Sequence, residues 1–287
     1  MKHILVTGAN GQLGRELQAI AQATDGFRWI FAGRERLDLE VPGAIQAFFG
    51  QHQVEVCINC AAYTGVDRAE SEPGRAERIN HHAVAELAEA CARKGAALIH
   101  FSSDYVYHNS LNRPLREDDP TLPRGVYART KLAGDLAALQ INPLTLILRT
   151  SWVYSAFGHN FVKTMLRLGR ERGAVRVVSD QIGSPTYARD LALVAHFVAL
   201  GLPAGGFPQG IFHYSNEGVC SWFDFARAVF DLSGLPCTVV PISSAEFPTP
   251  ASRPYFSVLD KSKFKEVFAL PIPYWRDSLR DCLQLLL

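Results

Sequence analysis

Short apolar runs alternate with longer runs of helical period through the first hundred residues. Ile4-Leu5-Val6-Thr7 is strand-like and precedes a helical run from Leu13 to Ala23. Arg28 to Ala32 reads as a second strand, Pro42 to Phe49 as a helix and Val54 to Asn59 as a third strand. A long helical pattern from Gly74 to Arg93 then leads into a fourth strand, Ala97 to Ser102. Pieces and links are all short, which predicts an α/β fold: a Rossmann-like doubly wound parallel sheet with helices on both faces. The second half is less regular and carries Pro-Gly breaks such as Gly201-Leu202-Pro203-Ala204-Gly205-Gly206-Phe207-Pro208. No internal repeat or low-complexity tract is present.

Chemistry enters where the strands end. Gly8-Ala9-Asn10-Gly11-Gln12-Leu13-Gly14 lies between the first strand and its helix. Glycines there permit a tight turn, a close approach of backbone to a pyrophosphate and close packing of helix on strand. The helix N-terminus then offers free N–H groups to the phosphate. After the third strand, the small residues of Ala61-Ala62-Tyr63 would let a dinucleotide lie across the strand ends. After the fourth, Ser103 can donate a hydrogen bond to a substrate carbonyl and Asp104 can accept one from a sugar hydroxyl, or both can cap a local turn.

Val126-Tyr127-Ala128-Arg129-Thr130-Lys131-Leu132-Ala133-Gly134 opens a further apolar-periodic run. In a helix, Tyr127 and Lys131 share one face, a turn apart. The ammonium can then stabilise a phenolate, so that a phenol with a reference pKa near ~10 can exchange protons at neutral pH. A hydride arriving at a carbonyl carbon makes an alkoxide, which a positioned phenol can protonate.

Composition narrows the setting. With 287 residues, 48% hydrophobic, 20% charged and a net charge of +1, the chain suits one large domain or two modest ones. Its basic residues form no run, which excludes an extended nucleic-acid surface. No stretch reaches the ~18 to 20 apolar residues of a membrane span, and the N-terminal apolar run is too short for a signal peptide, so the expected location is the cytoplasm. Cys57-Ile58-Asn59-Cys60 sits at a strand end and reads as buried, inert thiols. His81 and His82 are adjacent, about 100° apart on a helix, and cannot share one ion unless the chain bends.

Together, the glycine pattern, the serine after the fourth strand and Tyr127-xxx-Lys131 resemble the extended short-chain dehydrogenase/reductase superfamily. Asn59 to Glu70, Ser103-Asp104-Tyr105-Val106-Tyr107, Arg149 to Tyr154 and Asn160 to Leu166 closely resemble the branch that reduces dTDP-4-dehydrorhamnose. So do Asp180 to Thr186 and Arg253-Pro254. The resemblance implies that Tyr127 is the proton donor, that Lys131 holds the nicotinamide ribose and tunes the tyrosine, and that Ser103 places the substrate carbonyl. It further implies that Asp104 and Trp152 contact the substrate. For Trp152 the residue type alone reads as a core aromatic. A nucleotide site is expected to use Gly8, Asn10, Gly11, Gln12, Leu13, Gly14, Arg34, Asp38, Leu39, Ala61, Ala62 and Tyr63 together with Tyr127 and Lys131.

NADPH or NADH is the implied cofactor. Gly33 is followed by Arg34, suited to a 2′-phosphate where an NAD site usually keeps a carboxylate, so NADPH is expected to serve at least as well as NADH; Asp38 could compete for Arg34. The expected reaction is reduction of C4 in a dTDP-linked 4-dehydro-6-deoxyhexose. Alternatives are a nucleotide-sugar epimerase or dehydratase, against which Tyr105 counts because a dehydratase commonly pairs Asp with Glu there, and a non-catalytic NADP-binding regulatory subunit. Residues 1–152 are expected to form the dinucleotide-binding domain and 153–287 mainly a smaller mixed α/β substrate-binding domain, with about 174–200 returning to the sheet.

Some relatives join subunits through magnesium held by glutamates. Glu16 matches one ligand, but Arg189 and Leu285 stand where the others would be. The expectation is no bound metal and a monomer or metal-independent homodimer.

Overall fold

The computed structural model describes residues 1–108, 110–201 and 206–287. Six parallel strands form its central sheet, in the order Gly210–His213, Thr145–Thr150, Ala97–Ser103, Val56–Asn59, Lys2–Thr7, Phe27–Ala32. From Lys2–Thr7 the chain goes first to one side and then to the other, so the order reverses between the first and third strands. That reversal opens a crevice beyond their carboxyl ends, where α/β sheets bind ligands.

Successive side chains of a strand point to opposite faces, and each face acquires its own core. Ile4, Val6, Ile58, Ile99, Leu146 and Leu148 meet the helices Gln12–Ala21 and Ala188–Leu200. Leu5, Cys57 and Leu98 meet Ala44–Gln51, Ala83–Lys94 and, through Ala138, Gly125–Ile141. Helix Ala188–Leu200 carries Leu191, Val194, Ala195 and Val198 at three- and four-residue spacing, all buried against the sheet. Each such Val or Leu contributes roughly 1.5–3 kcal/mol on leaving water.

One expectation needs correction and one needs detail. The Val175 to Val178 run does not rejoin the sheet: Ala174–Val178 pairs in parallel with Thr238–Ile242 in a separate two-stranded sheet. It is Gly210–His213, just beyond a Pro-Gly break that lies partly outside the described residues, that supplies the edge strand, alongside Thr145–Thr150. The helical pattern from about Gly74 to Arg93 is present as Pro73–Glu77, a π-helical turn Arg78–His82, and Ala83–Lys94. The wider turn directs Asn80 inward, fully buried, where its amide bonds both backbone groups of Tyr63 at 2.9 and 3.1 Å and Thr130 Oγ1 at 3.3 Å. Gly134 lets the helix Gly125–Ile141 approach the same turn, since a Cβ there would lie 2.1 Å from the Asn80 carbonyl oxygen.

The remaining elements form a third apolar cluster around Tyr154, Tyr187, Phe225, Trp275 and Leu279, drawn almost wholly from the second half. Asp67 and Arg253 tie this half to the crevice rim through a two-pronged ion pair at 2.8 and 3.1 Å.

Candidate active site

The crevice holds two adjoining cavities of about 430 and 620 Å³ that share Gly11, Cys60, Ala61, Ala62 and Thr64. Gly8 turns the chain with φ +61°, and a Cβ on it would lie 2.6 Å from the Ala61 nitrogen; on Gly14 it would lie 2.5 Å from the Gly8 carbonyl oxygen. These two glycines bring the third strand's end and the first helix against the turn. Gly11 caps that helix in extended conformation without a side-chain bond, leaving the first amides facing the crevice. This cradle fits a pyrophosphate. Asn10 and Gly11 line the smaller cavity, Gln12 and Leu13 the larger, and Gly14 lies behind them as packing.

The far wall of the smaller cavity comprises Arg34, Asp38, Leu39 and Tyr63. Arg34 is exposed and paired with Asp38 at 3.1 Å and with Glu40. Asp38 therefore competes for it, as its position four residues on suggested, and Glu40 does so as well. The Glu40 amide and the Arg34 guanidinium hold the Asp38 carboxyl below the usual carboxylate range.

In the larger cavity stand Ser103, Asp104, Tyr127, Lys131 and Trp152. Tyr127 and Lys131 lie in the first turns of Gly125–Ile141, whose start is fixed from outside: Glu70 Oε1 accepts the Val126 amide at 2.7 Å. Ser103 ends the fourth strand, accepts the Tyr105 amide at 3.2 Å and donates to Asp104 Oδ1 at 3.0 Å. It also lines the larger cavity with the Tyr127 phenol, so capping and site-lining coexist in one hydroxyl. Burial pushes the phenol up to about 12, with the nearby Ser103 hydroxyl acting the other way. Asp104 is buried, which raises its carboxyl to about 6 against the pull of Ser257 and Ser103.

Lys131 is almost fully buried. Its Nζ donates to the Phe101 carbonyl at 2.7 Å and lies 3.1 Å from His100 Nε2. Burial lowers it to about 8, and Asp135, one turn on, supports its charge. Burial and the Lys131 charge hold the His100 imidazole well below its ordinary range, leaving it neutral beside the ammonium.

Beneath this pair runs a buried network that the motifs did not reveal. Asp135 Oδ2 accepts from Ser102 at 2.8 Å and from Arg149 Nε at 3.2 Å; Arg149 also bonds the Tyr107 hydroxyl, which meets His213 Nε2 at 2.9 Å. The signals were faint: Lys131 and Asp135 at helical spacing, and one arginine inside the strand Thr145–Thr150. Trp152 has a positive φ of 50° and is half-buried, stacked on Trp222 with centroids 3.7 Å apart. It forms a wall of the cavity while its other side packs against the third apolar cluster, with Gly183 leaving room for its indole. Trp222 and Tyr105, whose ring meets Tyr127 edge-on at 5.7 Å, belong to no motif singled out for contact.

Cys57 is buried and Cys60 half-buried; the neighbouring Cys91 thiol and then burial raise the Cys57 thiol above its ordinary range, and burial raises Cys60. Glu16 is buried too: its carboxylate accepts from Ser155 Oγ at 2.5 Å and feels the charge of Arg189.

The sequence pattern of the RmlD substrate binding domain family matches residues 1–287. A dTDP-4-dehydrorhamnose reductase of Streptomyces griseus is 43% identical over 281 residues, covering 96% of this chain and 91% of that protein. One of Sinorhizobium fredii is 40% identical, covering 96% and 95%. The crystal structure of a dTDP-4-dehydrorhamnose reductase from Clostridium acetobutylicum superposes with a TM-score of 0.94 at 38% identity over 99% of each chain. That of the Bacillus anthracis reductase in complex with NADP gives 0.92 at 35%, again over 99% of each. A UDP-glucose 4-epimerase of Thermus thermophilus, 19% identical, shares the fold alone. The chain thus belongs to the RmlD family, that of the dTDP-4-dehydrorhamnose reductases.

Proposed function

We propose that this protein reduces the C4 carbonyl of dTDP-4-dehydro-L-rhamnose to give dTDP-L-rhamnose, with NADPH or NADH as reductant. The observation that carries the reading is the meeting of Ser103, Tyr127 and Lys131 in one crevice beside the glycine cradle. The nicotinamide supplies the hydride when bound. Ser103 Oγ orients the carbonyl, and Tyr127 Oη delivers the proton to the developing C4 alkoxide. Lys131 Nζ holds the ribose hydroxyls and, as a cation, favours the phenolate left behind. Asp104 accepts from a sugar hydroxyl and Trp152 lies along the sugar, stiffened by Trp222. Residues 1–152 act as the cofactor part and most of 153–287 closes over the nucleotide sugar, held by Asp67 and Arg253. The test is oxidation of NADPH with a panel of 4-keto nucleotide sugars followed by product analysis; no turnover of the dTDP-linked 4-dehydrorhamnose would overturn it.

The ionisations give the pH dependence a sign. Asp104 must be ionised to accept, so kcat/KM is expected to fall below about 6 as burial lets the carboxyl protonate. Lys131 must be charged, so kcat/KM is expected to fall above about 8. Loss of the acid limb in Asp104→Asn, with the alkaline limb kept, checks the assignment.

NADPH binding draws on Arg34. Arg34→Ala is expected to weaken NADPH by about 10-fold or more, the scale of one lost charge-assisted hydrogen bond, and to leave NADH unchanged. Fluorescence titration with both nucleotides reads this directly, and equal NADPH affinity in the variant would remove the role.

No reaction step runs through a metal. Glu16 is engaged by Ser155 and Arg189, which supports a monomer or a homodimer formed without a shared ion. Activity is expected to be unchanged in EDTA, and a loss restored by magnesium would contradict this. Among the described residues no helix is long and apolar enough to cross a membrane. Six free thiols suit a reducing cytoplasm.

A further inference from the structure

Adjacent histidines on a straight α-helix diverge by about 100°, but His81 and His82 do not lie on one. They close the π-helical turn Arg78–His82, where an i→i+5 turn spreads each rotation over more residues and neighbouring side chains diverge less. The two imidazoles stack with centroids 4.7 Å apart and planes 26° from parallel. Glu77, in the preceding turn, places Oε1 2.5 Å from His81 Nδ1. One ligand atom from each of the three residues lies within 4.8 Å of the other two. Glu77 and His81 are half-buried and His82 is exposed, so an ion can reach them from solvent.

We infer that Glu77, His81 and His82 form a binding site for a divalent transition-metal ion on the outer face of this turn, away from the crevice. Two imidazoles and one carboxylate suit zinc, nickel or copper and are a poor set for magnesium or calcium, which take oxygen ligands. Three protein ligands leave a position for water. The ion would clasp the turn from outside while Asn80 clasps Tyr63 and Thr130 from inside, so that the outer ligands and the inner hydrogen bonds favour the same wide turn.

The test is titration of the full chain, purified without a histidine tag, with zinc and with nickel against a chromophoric indicator. About one equivalent of either ion should bind saturably, with magnesium in excess failing to compete. His81→Ala and His82→Ala should each lower the affinity at least ~10-fold, as loss of a ligand or its support does. Cys237→Ser, which removes a half-exposed thiol able to capture zinc, should bind as the unaltered chain does. Absence of saturable uptake, uptake that survives both histidine substitutions, or uptake lost with Cys237 overturns the assignment. The two histidines lie outside the apolar clusters and Cys237 only flanks the third, so matching thermal midpoints without metal will show that the variants remain folded.

Discussion

Tyr127→Phe is expected to lower the turnover of dTDP-4-dehydrorhamnose by roughly 10² to 10⁴-fold, the usual contribution of a positioned general acid. Only the phenolic oxygen is removed. The ring keeps its edge-on contact with Tyr105 and its place in the helix Gly125–Ile141, so fold and NADPH affinity should persist. The loss should lie in kcat at least as much as in KM, because the proton moves only as negative charge develops on O4. Ser103 cannot replace the donor: its hydroxyl, released from Asp104 when the carbonyl binds, can hydrogen-bond the carbonyl oxygen but is a far weaker acid than a phenol. Turnover within a few-fold of the unaltered protein, measured by NADPH oxidation, would show that another group delivers the proton.

The second large effect is on stability. Arg149 is fully buried and is the closest cation to Asp135, which is itself wholly shielded from water. Arg149→Leu would leave the Asp135 carboxylate facing only the more distant Lys131 charge and would strip a partner from Tyr107. Breaking a buried pair from one side typically costs about 3–5 kcal/mol. Burial already raises the Asp135 carboxyl, and Arg149 is the largest influence restraining it, so the single change should also drive proton uptake at Asp135. Adding Asp135→Asn to Arg149→Leu should recover part of the loss, because no uncompensated charge then remains. Urea midpoints of the unaltered protein and the two variants test this; a drop under about 1 kcal/mol for Arg149→Leu would mean that water or another cation replaces the guanidinium.

What could be seen in the sequence was local. The cradle at Gly8, Gly11 and Gly14 was legible because turn, helix start and packing are set by neighbours a few residues apart, and Tyr127 and Lys131 because helical spacing alone puts them on one face. The π-turn at Arg78–His82 was not. It depends on Asn80 finding Tyr63 and on Gly134 admitting a second helix, partners that only tertiary packing brings together. Val175 to Val178 misled for a related reason: a short β-branched run says that a strand forms and not which strand it joins. Arg34 was readable as a cation, and its competitor Asp38 was in reach of the same reading, but Glu40 became its neighbour only once the loop had closed. The unusual backbone of Trp152 had no local signal, since an aromatic is a poor candidate for a left-handed conformation. The stack on Trp222 and the space left by Gly183 hold it there.

The same stack gives the protein an optical property. Four tryptophans are present, and only Trp152 and Trp222 lie face to face, with centroids 3.7 Å apart and planes 11° from parallel. Chromophores this close share their excited states, so the pair should contribute an exciton couplet to the circular dichroism spectrum that Trp29 and Trp275 do not. Trp222→Phe would erase the couplet and leave the other indoles to report the baseline. Because Trp152 lines the cavity, any ligand that reorients its indole would change the sign or amplitude of that band, allowing occupancy of the sugar side of the crevice to be followed without a label and without turnover.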